Sequence, residues 1–305
     1  MTVVSRAYNS CEDLRPVLTF LYETFKKTRS YQNWFPDRFE NSHKGSGSEI
    51  WVDDIRVWEE IDDVVSSSKR IVALANPESM NDYFIQIDPA YSFLEQEILE
   101  WIEKHCKNKM RTSGKRKLRI HTIEGNSARE LLLSELGYEK GETYMYLRLR
   151  EVDLPIPQAE CTEGYEIMSI RRESDYDKLS AVTRLVFGHG EWFTAEVYEE
   201  IAQCSFYKRD LDLVAVAPDG TFASFCTFRM DPASRITNLE PVGTHPHHRR
   251  LGLAKALIFE GLRRAVKYDP ALLYVGAANN PATNRLYDSV GYTQKVAEHC
   301  WYKEM

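Results

Sequence analysis

The sequence has no run approaching the roughly 18 consecutive apolar residues that a membrane-spanning helix needs, so no membrane partner is expected. Its start, MTVVSRAYNSCEDL, lacks the apolar stretch of a secretory signal. Basic residues are not in excess: 39 Lys and Arg stand against 46 Asp and Glu, a net charge of -7, so the footprint of a nucleic-acid-binding protein is missing. Cysteine is scarce, six in 305 residues, far apart and without a CxxC pair. That spacing speaks against a disulfide framework and for reduced thiols in the cytoplasm. What is present is ordinary for a globular protein: 43% apolar and 28% charged residues, with 17 Tyr, 13 Phe and 6 Trp. Wholesale disorder is excluded, and the length suits about two domains.

The charge divides unevenly: residues 1–150 hold 22 basic and 24 acidic residues, and residues 151–305 hold 17 and 22. An acidic second half favours a cationic over an anionic substrate. Glu151–Glu160 carries Pro155 and Pro157, which disfavour helix and central strand, after a strand-like alternation at 144–149. The chain is therefore divided into domains 1–150 and 162–305, with a linker at 151–161.

The two halves repeat. Asn126 to Gly137-Tyr138 matches Asn280 to Gly291-Tyr292 at an offset of 154: an Asn, a short helix, then Gly-Tyr. Upstream, 84–89 matches 241–246 at an offset of 157, a strand reaching X-Pro ahead of a long amphipathic helix. Agreement in order, spacing and element type indicates a duplicated domain. In the second half, strand-like runs fall at 165–171, 211–217, 221–229, 236–244, 271–277 and 298–303, with helix-like runs at 174–187, 194–203, 253–267 and 281–289. The class is α/β with a mixed sheet.

The stretch 238–257 runs from a strand through a turn into a helix. Helix N-termini offer unpaired N–H groups and a positive dipole end, which suit a pyrophosphate. Small residues at 252 and 254 let the backbone come close, and Arg249 and Arg250 add charge. The spacing Arg249-x-x-Gly252-x-Ala254, with Thr-x-Pro before it and Asn-x6-Tyr and Gly-Tyr after it, resembles the coenzyme A loop of the GNAT superfamily of N-acetyltransferases. The resemblance spans about 162–305, and with the repeat it implies two tandem GNAT-like domains.

The resemblance implies a set of roles. Strand four splays from strand five, here 236–244 and 271–277, and acetyl-CoA, the co-substrate, lies in the gap. Val242 and Thr244, with Gly243 between them, offer backbone groups to the pantetheine. The N–H groups of Arg250, Leu251, Gly252, Leu253 and Ala254 hold the pyrophosphate, with Arg249 at the rim. Asn280 is a cofactor contact. Tyr287 protonates the leaving thiolate, and Glu240 is the general base for the amine. A core Tyr and a solvated or ion-paired Glu are the plain alternatives for these two. His245, His247 and His248 do not share one helix face and lack partners at metal spacing, so no metal is expected.

At the corresponding positions the first half has Ser92, Glu95 and Glu97 for the loop, Tyr83 for Glu240 and Leu133 for Tyr287. Carboxylates where a pyrophosphate would lie are costly, so this copy is expected to keep the fold and not bind coenzyme A. Tandem chains with one degenerate half resemble mycothiol synthases among others. Residues 31–63, with Trp34, Phe35, Trp51 and Trp58 and the acids Asp53, Asp54, Glu59, Glu60, Asp62 and Asp63, are expected to form a solvated acidic helix face with aromatic anchors. Gly45–Ser48 is expected as a loop, as is Lys115-Arg116-Lys117, and Phe187–Trp192 as part of the acceptor site.

The expected activity is acetyl transfer from acetyl-CoA to the amine of a small molecule, in a monomer or homodimer. A non-catalytic coenzyme A-binding sensor or scaffold and a protein N-acetyltransferase are the alternatives. Acceptor identity and acyl length are not written in these motifs.

Overall fold

The computed structural model describes residues 2–44, 49–61, 69–113, 116–171 and 174–305. Gly45–Ser48, Asp62, Asp63 and Lys115 lie outside them. The chain forms β1 (Thr2–Ala7), α1 (Ser10–Thr28), α2 (Pro36–Lys44), α3 (Glu49–Val52), β2 (Arg56–Ile61), β3 (Lys69–Ser79), β4 (Asp82–Ile87), α4 (Glu95–Ser113), β5 (Lys117–Ile123), α5 (Ser127–Glu135) and β6 (Glu139–Arg150). It continues through β7 (Glu166–Ser169), α6 (Ser174–Phe187), α7 (Ala195–Ala202), β8 (Asp212–Val216), β9 (Phe222–Met230), β10 (Ile236–Thr244), α8 (Leu253–Ala265), β11 (Leu272–Ala278), α9 (Pro281–Ser289) and β12 (Gln294–Glu304).

The duplication has a physical basis in helix ends. Asn126 caps α5 by accepting from the Arg129 N–H at 3.2 Å, and Asn280 caps α9 by accepting from the Thr283 N–H at 2.9 Å. At the far ends, Gly137 and Gly291 take left-handed φ values of 83° and 92°. The Tyr138 N–H then reaches the Leu133 carbonyl at 2.9 Å, and the Tyr292 N–H reaches the Tyr287 carbonyl at 3.0 Å. This is the same Schellman stop twice, with a buried Tyr closing each. The repeated Asn and Gly-Tyr are thus an N-cap and a C-cap.

Two compact units result: one of most of residues 1–145 with Val296–Met305, the other of Tyr146–Lys295. The strand order is β1-β2-β3-β4-β5-β12 in the first unit and β6-β11-β10-β9-β8-β7 in the second. The boundaries read from the sequence therefore need revision at both ends. Residues 296–305 do not stay with 162–305, because β12 pairs antiparallel with β5, from Glu298↔Ile123 to Glu304↔Lys117. The Tyr146–Arg150 end of β6 belongs to the second unit, and Val296–Met305 to the first, which chain order cannot reveal.

The segment 31–63 also differs from expectation. Trp58, Glu59 and Glu60 lie on strand β2 rather than on a helix face. Asp54 is buried and contacts His105 and Lys109, while Glu59 is buried and pairs with Arg6. These acids are consumed by the first unit's own cations and are not a solvated surface.

In the second unit the sheet has a core on each face. Leu253, Leu257, Ile258 and Leu262 of α8 pack with Cys226, Phe228 and Leu239 on one face. Tyr176, Leu179, Tyr198 and Ile201 of α6 and α7 pack with Val214 and Phe225 on the other. Burying each such side chain contributes about 1.5–3 kcal/mol, and this packing holds the strands that carry the site.

Candidate active site

β10 pairs with β11 only at its start, Ile236↔Leu272, Thr237↔Leu273 and Asn238↔Tyr274. It then continues six residues while pairing only with β9, through Val242↔Cys226, Gly243↔Phe225 and Thr244↔Ser224. The register slips between Leu239 and Val242, which is the bulge that sends β10 away from β11. Pro241 suits that place because it has no N–H to give a ladder. A wedge opens between 239–244 and the end of β11, as the splay of strands four and five required. Gly243 is needed for packing: a Cβ there would meet the Phe225 ring at 2.3 Å.

A braced loop follows the wedge. The His245 N–H donates to the Ala223 carbonyl at 2.9 Å, and Arg249 Nε donates to the Thr244 carbonyl at 3.2 Å. Thr162 Oγ1 donates to the Leu251 carbonyl at 2.5 Å, and Tyr165 Oη meets His248 Nδ1 at 2.8 Å. Arg250 (φ 66°) and Gly252 (φ 74°) are both left-handed. Gly252 is the N-cap of α8 and provides no side-chain cap, so the first-turn N–H groups are left for another acceptor. Desolvation and the neighbouring His248, His247 and Arg249 hold the His245 imidazole below its ordinary pKa, a sign of the loop's positive potential. An anionic ligand fits this helix start. Among the described residues, no group of three or more His, Cys, Asp or Glu is placed to hold a metal ion.

Tyr287 lies buried on α9 within the core below the wedge. Burial first, then the nearby Cys226 and Glu240, push its phenol well above the ordinary tyrosine range. It stays protonated at physiological pH and is a donor, not a base. Glu240 sits at the β10 bulge with its side chain 48% exposed, accepts from Asn238 Nδ2 at 3.1 Å and lies 3.6 Å from Arg229. The structure thus brings Tyr287 and Glu240 into one neighbourhood at the wedge. Asn280 is exposed and committed to capping α9, a local role that needs no cofactor.

Residues 171–292 match the model of the acetyltransferase (GNAT) family. These residues are a GNAT-family domain. No curated protein matches the chain by sequence. Among solved structures, the chain is similar to a tandem GNAT protein from the clavulanic acid biosynthesis pathway, solved without AcCoA. The TM-score is 0.69 at 12% identity, covering 99% of this chain and 98% of that one. It is also similar to a GCN5-related N-acetyltransferase from Sphaerobacter thermophilus, with TM-score 0.67, 15% identity and 99% and 95% coverage. A GNAT-family acetyltransferase from Colwellia psychrerythraea gives TM-score 0.65 at 10% identity, with 99% and 100% coverage. At such identities the likeness is one of fold, and it extends over both units: the chain is a tandem GNAT fold.

The side chains that support Tyr287 and the loop carry no motif in the sequence. Arg148 on β6 donates from all three guanidinium nitrogens, to Tyr292 O at 2.9 Å, to Asn284 and to Asp288, and it lies 5.9 Å from the centre of the Tyr287 ring. Thr162 and Tyr165, which brace the loop, lie just after the expected linker, at the start of the second domain. The one sequence signal for Arg148 was a charge at an inward position of an alternating strand.

Proposed function

We propose that the protein transfers an acetyl group from acetyl-CoA directly to the amine of a small molecule, with the chemistry in the second unit. The observation that supports this most is the combination of an uncapped α8 N-terminus with an open strand wedge, with Glu240 on the strand that diverges and buried Tyr287 near enough to feel its charge. The first-turn N–H groups of α8, with Arg249 and Arg250, hold the pyrophosphate. The free edge of 239–244 takes the pantetheine as an added strand.

The thioester supplies the activated acyl carbon. Glu240, directly or through one water, takes a proton from the acceptor ammonium and leaves a neutral amine. The C–N bond forms as the C–S bond breaks. A backbone N–H near Val242 polarises the carbonyl oxygen. The departing sulfur takes the Tyr287 hydroxyl proton, the new amide nitrogen gives up its remaining extra proton to solvent, and solvent returns a proton to Tyr287. The phenol is protonated whenever the sulfur leaves, so a donor is present at that moment.

Calorimetric titration with acetyl-CoA followed by an amine screen for thiol release tests the proposal. One binding site and amine-dependent thiol release are expected. Binding without any turnover would move the assignment to a coenzyme A sensor.

A further inference from the structure

Four arginines are almost wholly buried among the described residues: Arg148 at 0% exposure, Arg129 at 1%, Arg150 at 3% and Arg229 at 5%. In three of them every guanidinium nitrogen donates a hydrogen bond. Arg129 bonds both oxygens of Glu95 and the Ile85 carbonyl. Arg148 bonds Tyr292, Asn284 and Asp288, and Arg150 bonds four backbone carbonyls, those of Val290, Glu151, Leu154 and Pro155. Arg229, on β9, makes no hydrogen bond among the described residues, and its Nε is buried without an acceptor. Its ion contact is Glu240, 3.6 Å away, and the Phe206 ring centre lies 5.3 Å from its guanidinium.

A guanidinium carries five N–H donors in a planar fork, and leaving them unmade in a buried place is costly. The cation is balanced from a distance by buried Asp212, whose field it feels. Asp212 does not occupy the fork, because its own oxygens accept from Thr227 at 2.8 Å and from Tyr198 and Tyr207 at 2.7 Å each. The fold therefore keeps a desolvated, charge-balanced, unbonded fork beside the candidate base. A fork of this kind fits a carboxylate in bidentate fashion. The nearness of Arg229 to Glu240 matches a carboxylate and an ammonium borne on one carbon.

We propose that Arg229 is the carboxylate anchor of the acceptor site, and that the acceptor is an α-amino acid or a close analogue whose amine is presented to Glu240. This rests on the acetyltransferase reading above and names its substrate class.

The test is thiol release from acetyl-CoA with each standard amino acid, compared with the amine that remains when its α-carboxylate is removed. The wild-type protein should favour its best amino acid over the matching amine by about a hundredfold in kcat/KM. Arg229→Gln should lose most of that preference, the KM for the amino acid rising far more than the KM for the matching amine. Arg229→Lys, which keeps the charge and loses the fork, should fall between the two. Equal use of amines and amino acids by the wild type would overturn the inference and leave the acetyltransferase reading standing. So would an Arg229→Gln loss that is the same for both acceptors, which would make Arg229 only a positioning residue for Glu240. Absence of acetyl-CoA binding by the wild type would remove the parent reading, and this one with it.

Discussion

In the first unit Arg129 reaches from α5 to Glu95 at the start of α4, and to the Ile85 carbonyl past the point where β4 stops pairing with β5. In the second unit the matching positions are Thr283, Gly252 and Val242, and no side chain caps the helix or crosses the gap from 283. Both copies splay the same pair of strands: β4 pairs with β5 only at Asp82↔Arg119 and Tyr83↔Ile120, as β10 pairs with β11 only at its start. The first copy fills its gap with an internal ion pair, and the second, which we propose for acetyl-CoA, has neutral residues at the matching positions. The same splay can thus be bridged or left open without a change of fold.

The largest expected effect breaks the closed copy. Arg129→Met leaves Glu95 buried and unpaired, and should cost about 3–5 kcal/mol in denaturant unfolding. Adding Glu95→Met should restore much of that loss, and neither variant should create a second acetyl-CoA site. The next effect closes the open copy. Gly252→Glu puts a carboxylate at the α8 start without an Arg129 to neutralise it, on a left-handed residue as well, and should weaken acetyl-CoA binding by about a hundredfold or more, roughly 3 kcal/mol. Calorimetry reads both.

Tyr287→Phe separates chemistry from binding. Turnover should fall about a hundredfold while acetyl-CoA affinity changes less than about twofold. Unchanged turnover in steady-state assays would leave Tyr287 as a core residue only. The smallest effect compares the two caps. Asn126→Ala and Asn280→Ala should each cost about 1 kcal/mol of stability. A loss of acetyl-CoA affinity in the second alone would add a cofactor contact to the capping role of Asn280.

Much of this arrangement was legible in the residues. The strand at 236–244, the helix starting at Leu253 and the helix at 281–289 stand where the periodicity and the Gly252 and Asn280 signals put them, because those signals are local: caps, stops and apolar spacing. The substitution of Gly252 by Glu95 in the first copy was visible as well. The exchange of β6 and β12 was not, since each strand alternates alike in either sheet and only long-range pairing chooses between them. The burial of Asp54 and Glu59 was hidden for a related reason. Their partners His105, Lys109 and Arg6 lie tens of residues away, and an acidic run by itself reads as solvated. Arg229 was the subtlest: a single charge in the otherwise uncharged run Phe222–Met230, whose meaning emerges only from the hydrogen bonds its side chain does not make.

The central claim is that one copy holds acetyl-CoA and the other is filled by its own side chains. Titration of the intact chain with acetyl-CoA by calorimetry tests this most directly. The account predicts one site per chain, lost in Gly252→Glu and kept when Arg129 is replaced. Two sites in the wild type, or one site that survives Gly252→Glu, would contradict it.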